Sequence, residues 1–304
     1  MKLERIDDKK EQSKYERALS LYNTDIKDEE AVLATAKILE KVEENNTIEV
    51  KRFLFSIIEV TSLEVTDSED SILALTEKIN DFTDKNPNFP HPAAICVYPR
   101  FAKVVSQSLE ADGVEITCVA GGFPSSQTFP EVKTIEASLA LKDGATEIDT
   151  VLPVGFFLME DYEQVDDEIS ELKAIVGEEN NLKVILETGA LKTAQNIKKA
   201  AIIAMYSGAD FIKTSTGKIA TGATPMAVYI MCQAIKEYYE RTKRKVGIKI
   251  AGGIRTSQEA VQYYTIIKEI LGKEWLYPEF FRIGASNLAN NILTDLTGNP
   301  VKMF

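Results

Sequence analysis

Two lysines stand where covalent chemistry could be done. Lys213 lies in FIKTSTGK (211–218) and Lys249 in GIKIAGG (247–253), each near the end of a short, strand-like apolar run. An ordinary lysine, with a pKa near 10.4, is almost wholly protonated at pH 7 and is not a nucleophile. Burial and a neighbouring cation both favour the neutral amine. A pKa lowered by about 3 corresponds to roughly 4 kcal/mol of differential interaction. Period-2 alternation puts Phe211, Lys213 and Ser215 on one face, and Gly247, Lys249 and Ala251 on one face. If both faces turn inward, two ammonium groups meet in an apolar tube, which is one way to activate an amine for Schiff-base formation. The competing reading is a buried ion pair of Lys249 with Asp149 or Glu147. For Lys183, four residues before Glu187, a structural ion pair is the preferred reading.

Anion-binding donors gather near the last strand-like runs. STGK (215–218), AGGIR (251–255) and IGASN (283–287) each combine glycine with small or hydroxyl residues. Backbone N–H groups at strand-to-helix turns, with a helix N-terminus, bind phosphate without much net charge. Cys96, in AAICVYP, reads either as a small buried hydrophobe or as a pocket-lining residue. The sole histidine, His91, rules out a histidine metal cluster and lies in the loop-like NPNFPHP. Lysines and carboxylates, with Asp149 and Glu59 foremost, are left to carry any catalysis.

The elements that must position these residues have a clear rhythm. Strand-like runs occur at 53–60, 93–99, 114–120, 146–153, 182–188, 209–215, 245–251 and 280–286. Helix-period stretches lie between them, several closing on glycine as helix C-termini do. Such βα units, joined by right-handed crossovers, predict a (β/α)8 TIM barrel, whose chemistry belongs at the C-terminal strand ends. A doubly wound open sheet is the runner-up, but no glycine fingerprint follows the first strand. Residues 1–50 read as an N-terminal helical extension, with NNTIEVKR as connector, and 51–304 as the barrel.

Composition is that of an ordinary globular chain of 304 residues, 44% hydrophobic and 27% charged. The net charge of −12 argues against non-specific nucleic-acid binding. No apolar run reaches the length of a membrane span and the N-terminus lacks a secretory signal, so a cytoplasmic protein is expected. Three cysteines without zinc-like spacing read as reduced thiols.

AAICVYPRF (93–101), GATEID (144–149), LKVILETG (182–189), GADFIKTSTGK (208–218), GIKIAGGIRT (247–256) and FRIGAS (281–286) together resemble the deoxyribose-phosphate aldolases. The likeness runs in order over about 230 residues, and FIKTSTGK is its most specific element. The resemblance implies a Schiff-base aldolase, a carbon–carbon lyase that needs no cofactor or metal. It implies Lys213 as nucleophile, Lys249 as the partner that lowers its pKa, and Asp149 as acid/base through a bound water. Thr216, Gly217, Lys218, Gly252, Gly253, Gly284 and Ser286 are implied around the sugar phosphate, with Glu59, Thr61, Cys96 and Asn287 close by. The implied partners are a small phosphorylated sugar and acetaldehyde, and a homodimer or homotetramer is implied.

Five positions depart from the pattern of those relatives. Glu59 stands where an aspartate is usual, and Gly121 replaces a threonine or asparagine. Gly222 replaces an asparagine, Ile250 a proline, and Asn287 a serine or threonine. The departures motivate an alternative, a related Schiff-base aldolase with another aldehyde or sugar-phosphate substrate. A non-catalytic barrel binding a phosphorylated metabolite is the third reading, and it has less need of two inward lysines.

Overall fold

The computed structural model describes residues 13–285 and 287–304. Eight parallel strands close into a barrel in chain order. They are β1 (Ile58–Thr61), β2 (Ala94–Val97), β3 (Glu115–Ala120), β4 (Glu147–Val151), β5 (Asn181–Ile185), β6 (Phe211–Lys213), β7 (Gly247–Ala251) and β8 (Phe281–Ala285). Pairing of β1 with β8 (Ile58 opposite Ile283) completes the ring and leaves no sheet edge. Among the described residues no helix is long and apolar enough to cross a membrane.

Alternation along the strands divides the molecule into two environments. Outward residues such as Val60, Ile95, Ile148, Val184, Ile212, Ile248 and Ile283 are buried against the surrounding helices and form one continuous apolar core. Ile250 belongs to this outward set, so the departure at that position contributes packing rather than a polar contact. The inward set on the same strands is mostly polar or charged. Helices that follow the strands are started by side chains at the ends of the βα loops. Thr193, Thr224 and Thr256 accept from backbone N–H groups at the starts of helices Ala194–Tyr206, Pro225–Thr242 and Ser257–Leu271. Gly144, Gly177 and Gly208, which follow helices, have positive φ as helix ends require.

The region before β1 differs from the expectation. NNTIEVKR is no connector: Thr47 caps a helix, Ile48–Ser56, by accepting from the Val50 N–H at 3.3 Å. The aromatic and β-branched run FLFSII looks like a strand, but its first half completes this helix and only Ile58 onward pairs in the barrel. A boundary drawn between residues 50 and 51 therefore falls inside a helix. Further upstream, helix Asp28–Leu39 packs on helices Pro225–Thr242 and Ser257–Leu271, and Asn45 donates to Thr265 Oγ1 at 3.1 Å.

The barrel floor is filled by the Phe211 ring, over which Lys183 and Arg282 lie at 5.7 and 6.0 Å. Gly247 on the neighbouring strand makes room for it: a Cβ there would lie 2.3 Å from Phe211 Cε1. Gly247→Ala should accordingly destabilise the protein by about 1–3 kcal/mol through overpacking, read as a lower urea midpoint at unchanged m-value.

Candidate active site

At the C-terminal ends of β1, β6, β7 and β8 a cavity of about 370 Å³ opens to solvent. Thr61, Lys213, Thr216, Gly217, Lys218, Gly252, Gly253, Gly284 and Asn287 all line it. Ser286 lies outside the described residues. Leu63, Glu64 and Arg255 also line the cavity. Arg255 was missed from the sequence although it ends the AGGIR segment. The lining thus carries three cations, Lys213, Lys218 and Arg255, and one carboxylate, Glu64. Locally the site is basic in a chain of net charge −12.

Beneath the cavity the inward residues form a connected ion lattice. Lys213 donates to Asp149 Oδ2 at 2.7 Å, and Lys249 donates to the same oxygen at 2.6 Å. Lys249 also donates to Glu59 Oε2. The two lysines are cross-strand partners on β6 and β7. Lys249 is therefore both the neighbouring cation and a member of a buried ion pair with Asp149, so the two readings of it describe one arrangement. Glu59, Asp149 and Lys249 are fully buried, whereas Lys213 keeps 3% of its surface and faces the cavity. Glu59 and Cys96 are buried and are not part of the cavity lining, Glu59 lying one step down β1 from the lining residue Thr61 and Cys96 packing behind Leu63.

A second layer lies deeper. Lys183 donates to Glu147 Oε2, and to Thr117 Oγ1 at 3.3 Å, while Thr117 donates to Glu147 Oε2 at 2.7 Å. Arg282 donates to Glu147 Oε1 and Oε2 at 3.3 and 3.4 Å. The structural ion pair of Lys183 is thus made across to β4, not with nearby Glu187. Glu187 instead accepts from the Thr216 hydroxyl at 2.5 Å and from its N–H at 3.3 Å.

The hydroxyls of FIKTSTGK have structural partners. Thr214 donates to the Ala251 carbonyl at 2.9 Å, and Ser215 donates to the same oxygen. This clamps the end of β6 to β7. Close approach continues in the loops above, where the Ala223 N–H donates to the Gly252 carbonyl at 3.0 Å. A Cβ on Gly222 would lie 2.2 Å from that carbonyl oxygen. The asparagine usual at 222 would therefore displace the 252–253 turn, which gives that departure a steric cause. Gly121 lies away from the cavity, its N–H donating to Glu136 at 2.8 Å.

Protonation follows from the lattice. Burial alone would raise the Asp149 pKa, but Lys213, Lys249 and Lys183 outweigh it and hold the carboxyl well below its usual range. Burial likewise opposes charge on Lys249, yet Asp149 and Glu59 hold it above the ordinary lysine value. Burial pushes the Cys96 thiol up to about 11, so it stays protonated and behaves as a small apolar residue. Glu59, Cys96 and Asp149 bring ligand-type atoms within 4.8 Å of one another. Both carboxylates of that group are already committed to lysine ammonium groups.

A closed parallel barrel with an inward lysine at the floor of a basic cavity is an arrangement that suits an aldolase. The comparisons agree: residues 64–268 match the model of the DeoC/LacD family aldolases. The chain belongs to that family. It is 44% identical to the deoxyribose-phosphate aldolase of Homo sapiens over 202 residues, covering 66% of this chain and 63% of the human protein. It is 36% identical to that of Agrobacterium fabrum over 255 residues, covering 84% of this chain and 95% of the bacterial one. Among solved structures, the deoxyribose phosphate aldolase of Aeropyrum pernix, described as tetrameric, superposes with a TM-score of 0.67 at 25% identity, covering 85% and 96% of the two chains.

The lattice makes stability sensitive to acid. Glu147 is held down to about 2 from 4.5, with burial opposed by Lys183 and then Arg282. The folded state binds this proton more weakly than the unfolded state, so the contribution is complete above pH 4.5 and is lost as pH falls towards 2. Urea titrations between pH 7 and 2 should show Glu147→Gln less stable at neutral pH, with a shallower loss of stability below pH 4.5.

Proposed function

We propose that the protein is an aldolase that reversibly cleaves 2-deoxy-D-ribose 5-phosphate to D-glyceraldehyde 3-phosphate and acetaldehyde through a Schiff base on Lys213. One observation carries this reading. Of the four cations inside the barrel, Lys183, Lys213, Lys249 and Arg282, Lys213 alone lines the cavity. It shares a carboxylate oxygen with a second lysine. The named activity of the human and Agrobacterium relatives supports the same substrate.

In this reading the neutral Lys213 amine attacks the C1 aldehyde of the open-chain sugar. The carbinolamine loses water and becomes an iminium. The iminium withdraws electrons, so the C2–C3 bond breaks as the C3 hydroxyl gives up its proton, through water, to Asp149. Glyceraldehyde phosphate departs and an enamine remains on Lys213. Asp149 and Lys249, hydrogen-bonded at one oxygen, return a proton to the enamine carbon, and water releases acetaldehyde and the amine. Asp149 keeps Oδ1 without a hydrogen-bonding partner, a buried acceptor suited to a relay water.

The phosphate is assigned to the opposite side of the cavity. The 252–253 turn, the start of helix Asn287–Thr297, Lys218 and Arg255 provide backbone dipoles and side-chain charge there. Lys218 already donates to the Leu63 carbonyl at 2.5 Å, which ties the loop after β6 to the one after β1. Glu59 lies under the cavity rather than on its wall, so the added methylene at that position does not favour a different substrate.

Borohydride trapping with 2-deoxyribose 5-phosphate, followed by peptide mapping, tests the proposal. One adduct per chain at Lys213 is expected, and none in Lys213→Ala. Lys249→Leu should lower kcat by at least about 100-fold, the size expected of a proton-transfer group, with the fold retained by circular dichroism. Near-normal turnover in that variant would remove Lys249 from the mechanism.

A further inference from the structure

Glu187 has no part in the catalytic cycle, yet it holds an unfavourable backbone conformation beside the reacting lysine. Two residues beyond β5 its backbone is left-handed, with φ 55° and ψ 59°, a region that residues other than glycine seldom occupy. Backbone of this kind persists only where its surroundings fix it. The N–H groups of its two neighbours, Leu186 and Thr188, donate to the carbonyls of Lys213 and Thr214 at 2.8 and 2.9 Å. The turn is thereby held against the end of β6. Glu187 is buried, and among the described residues both hydrogen bonds to its carboxylate come from Thr216. The Thr216 hydroxyl donates to Oε2 at 2.5 Å and its N–H to Oε1 at 3.3 Å.

Those bonds decide what Thr216 can offer a ligand. A hydroxyl has one proton to donate and two lone pairs with which to accept. The Thr216 proton goes to Glu187, and one lone pair accepts the Lys218 N–H at 3.1 Å. One lone pair is left on a residue that lines the cavity. Thr61, the other hydroxyl of the wall among the described residues, likewise gives its proton to the Glu59 carbonyl at 2.9 Å. Both wall hydroxyls are therefore left as acceptors. A ligand group that donates is favoured there, and a group that can only accept meets a lone pair.

We infer that Glu187, which does not line the cavity, is a positioning residue for substrate specificity: by taking the Thr216 proton it makes the wall beside Lys213 select a sugar phosphate with a donating hydroxyl at C4. The inference rests on the aldolase reading. In that reading C1 is bound to Lys213, the C3 hydroxyl is committed to proton transfer, and the phosphate lies at Lys218 and Arg255. The C4 hydroxyl is the one free to donate to Thr216, and after cleavage it is the C2 hydroxyl of glyceraldehyde 3-phosphate. Glycine would suit the backbone at 187 better, so the position keeps a carboxylate against its local conformational preference.

The test runs in the direction of synthesis, with acetaldehyde as donor and three acceptors that differ only at C2. These are D-glyceraldehyde 3-phosphate, its 2-deoxy analogue 3-oxopropyl phosphate and its 2-deoxy-2-fluoro analogue. Values of kcat/KM are measured for the wild type, Glu187→Gln and Glu187→Gly, and each variant's ratios are divided by those of the wild type, so that intrinsic aldehyde reactivity cancels. In Glu187→Gln the amide oxygen keeps the Thr216 N–H while the amide NH2 donates to the hydroxyl, which turns the Thr216 proton to the cavity. In Glu187→Gly the hydroxyl is free to rotate. In both variants the fluoro-to-hydroxyl ratio should rise by about 5- to 10-fold, the size of one hydrogen bond. A merely structural role would slow all three acceptors alike and leave the ratios unchanged. Glu187→Gly removes the left-handed strain, so it decides alone if Glu187→Gln does not fold. Unchanged ratios in a variant that turns over would overturn the inference and leave the aldolase reading standing. No turnover of any acceptor by the wild type, with no adduct trapped at Lys213, would overturn both.

Discussion

Seven acidic and basic side chains are confined within a closed ring of eight strands, and the rest of the structure answers to that confinement. Taking an ion out of water costs several kcal/mol even after relaxation, so a buried charge persists only where partners surround it. Here Glu147 meets two cations, and Glu59 and Asp149 meet three each. Such a lattice is weak as a source of stability, because a well-packed apolar interior of equal volume would do as well or better. Its retention makes sense as equipment for chemistry, and the folding free energy must come from elsewhere.

It comes from the outer face of the same strands. Ile, Val, Leu and Ala residues directed outward are sealed by the helices into one core that runs around the barrel. The alternation of the β-strand separates the two roles residue by residue: in β7, Ile248 and Ile250 pack outward while Lys249 between them reaches the lattice. A one-residue slip in register would exchange these faces and bury the lysine among helices. The hydroxyl run after Lys213 guards against movement at the strand end, since Thr214 and Ser215 fasten β6 to the Ala251 carbonyl.

Much of this was legible along the chain. The spacing of apolar runs located all eight strands, and alternation put Lys213 and Lys249 each on one face of its strand, because both signals are local; that these faces turn inward is shown by the closed barrel. What sequence reasoning missed depends on neighbours that only the closed ring creates. Glu147 finds Arg282 from the far side of the barrel, 135 residues away in sequence, and no spacing announces that meeting. Lys183 was read beside Glu187 by proximity in the chain, but strand direction sends Lys183 inward to Glu147 and Glu187 towards Thr216. Before β1, the β-branched and aromatic run 53–60 reads as a strand along its whole length, and only its end is one. The helix won because Phe53 and Phe55 pack against Phe281 and Phe82 from helical positions.

The position of Glu59 shows how a departure of one methylene can be absorbed inside such a lattice. Its carboxylate reaches Lys249 through Oε2, and its Oε1 stands 3.5 Å from Lys183 and 3.6 Å from Arg282. One residue therefore touches both layers and three of the four cations. An aspartate, shorter by one carbon, could not span the same set without a shift of β1 or of the cations. The longer acid belongs to the ion lattice, while the cavity wall is built from Thr61, Gly284 and the loops that follow the strands. A change in the lattice and a change in the wall therefore fall on different residues, at different levels of the barrel.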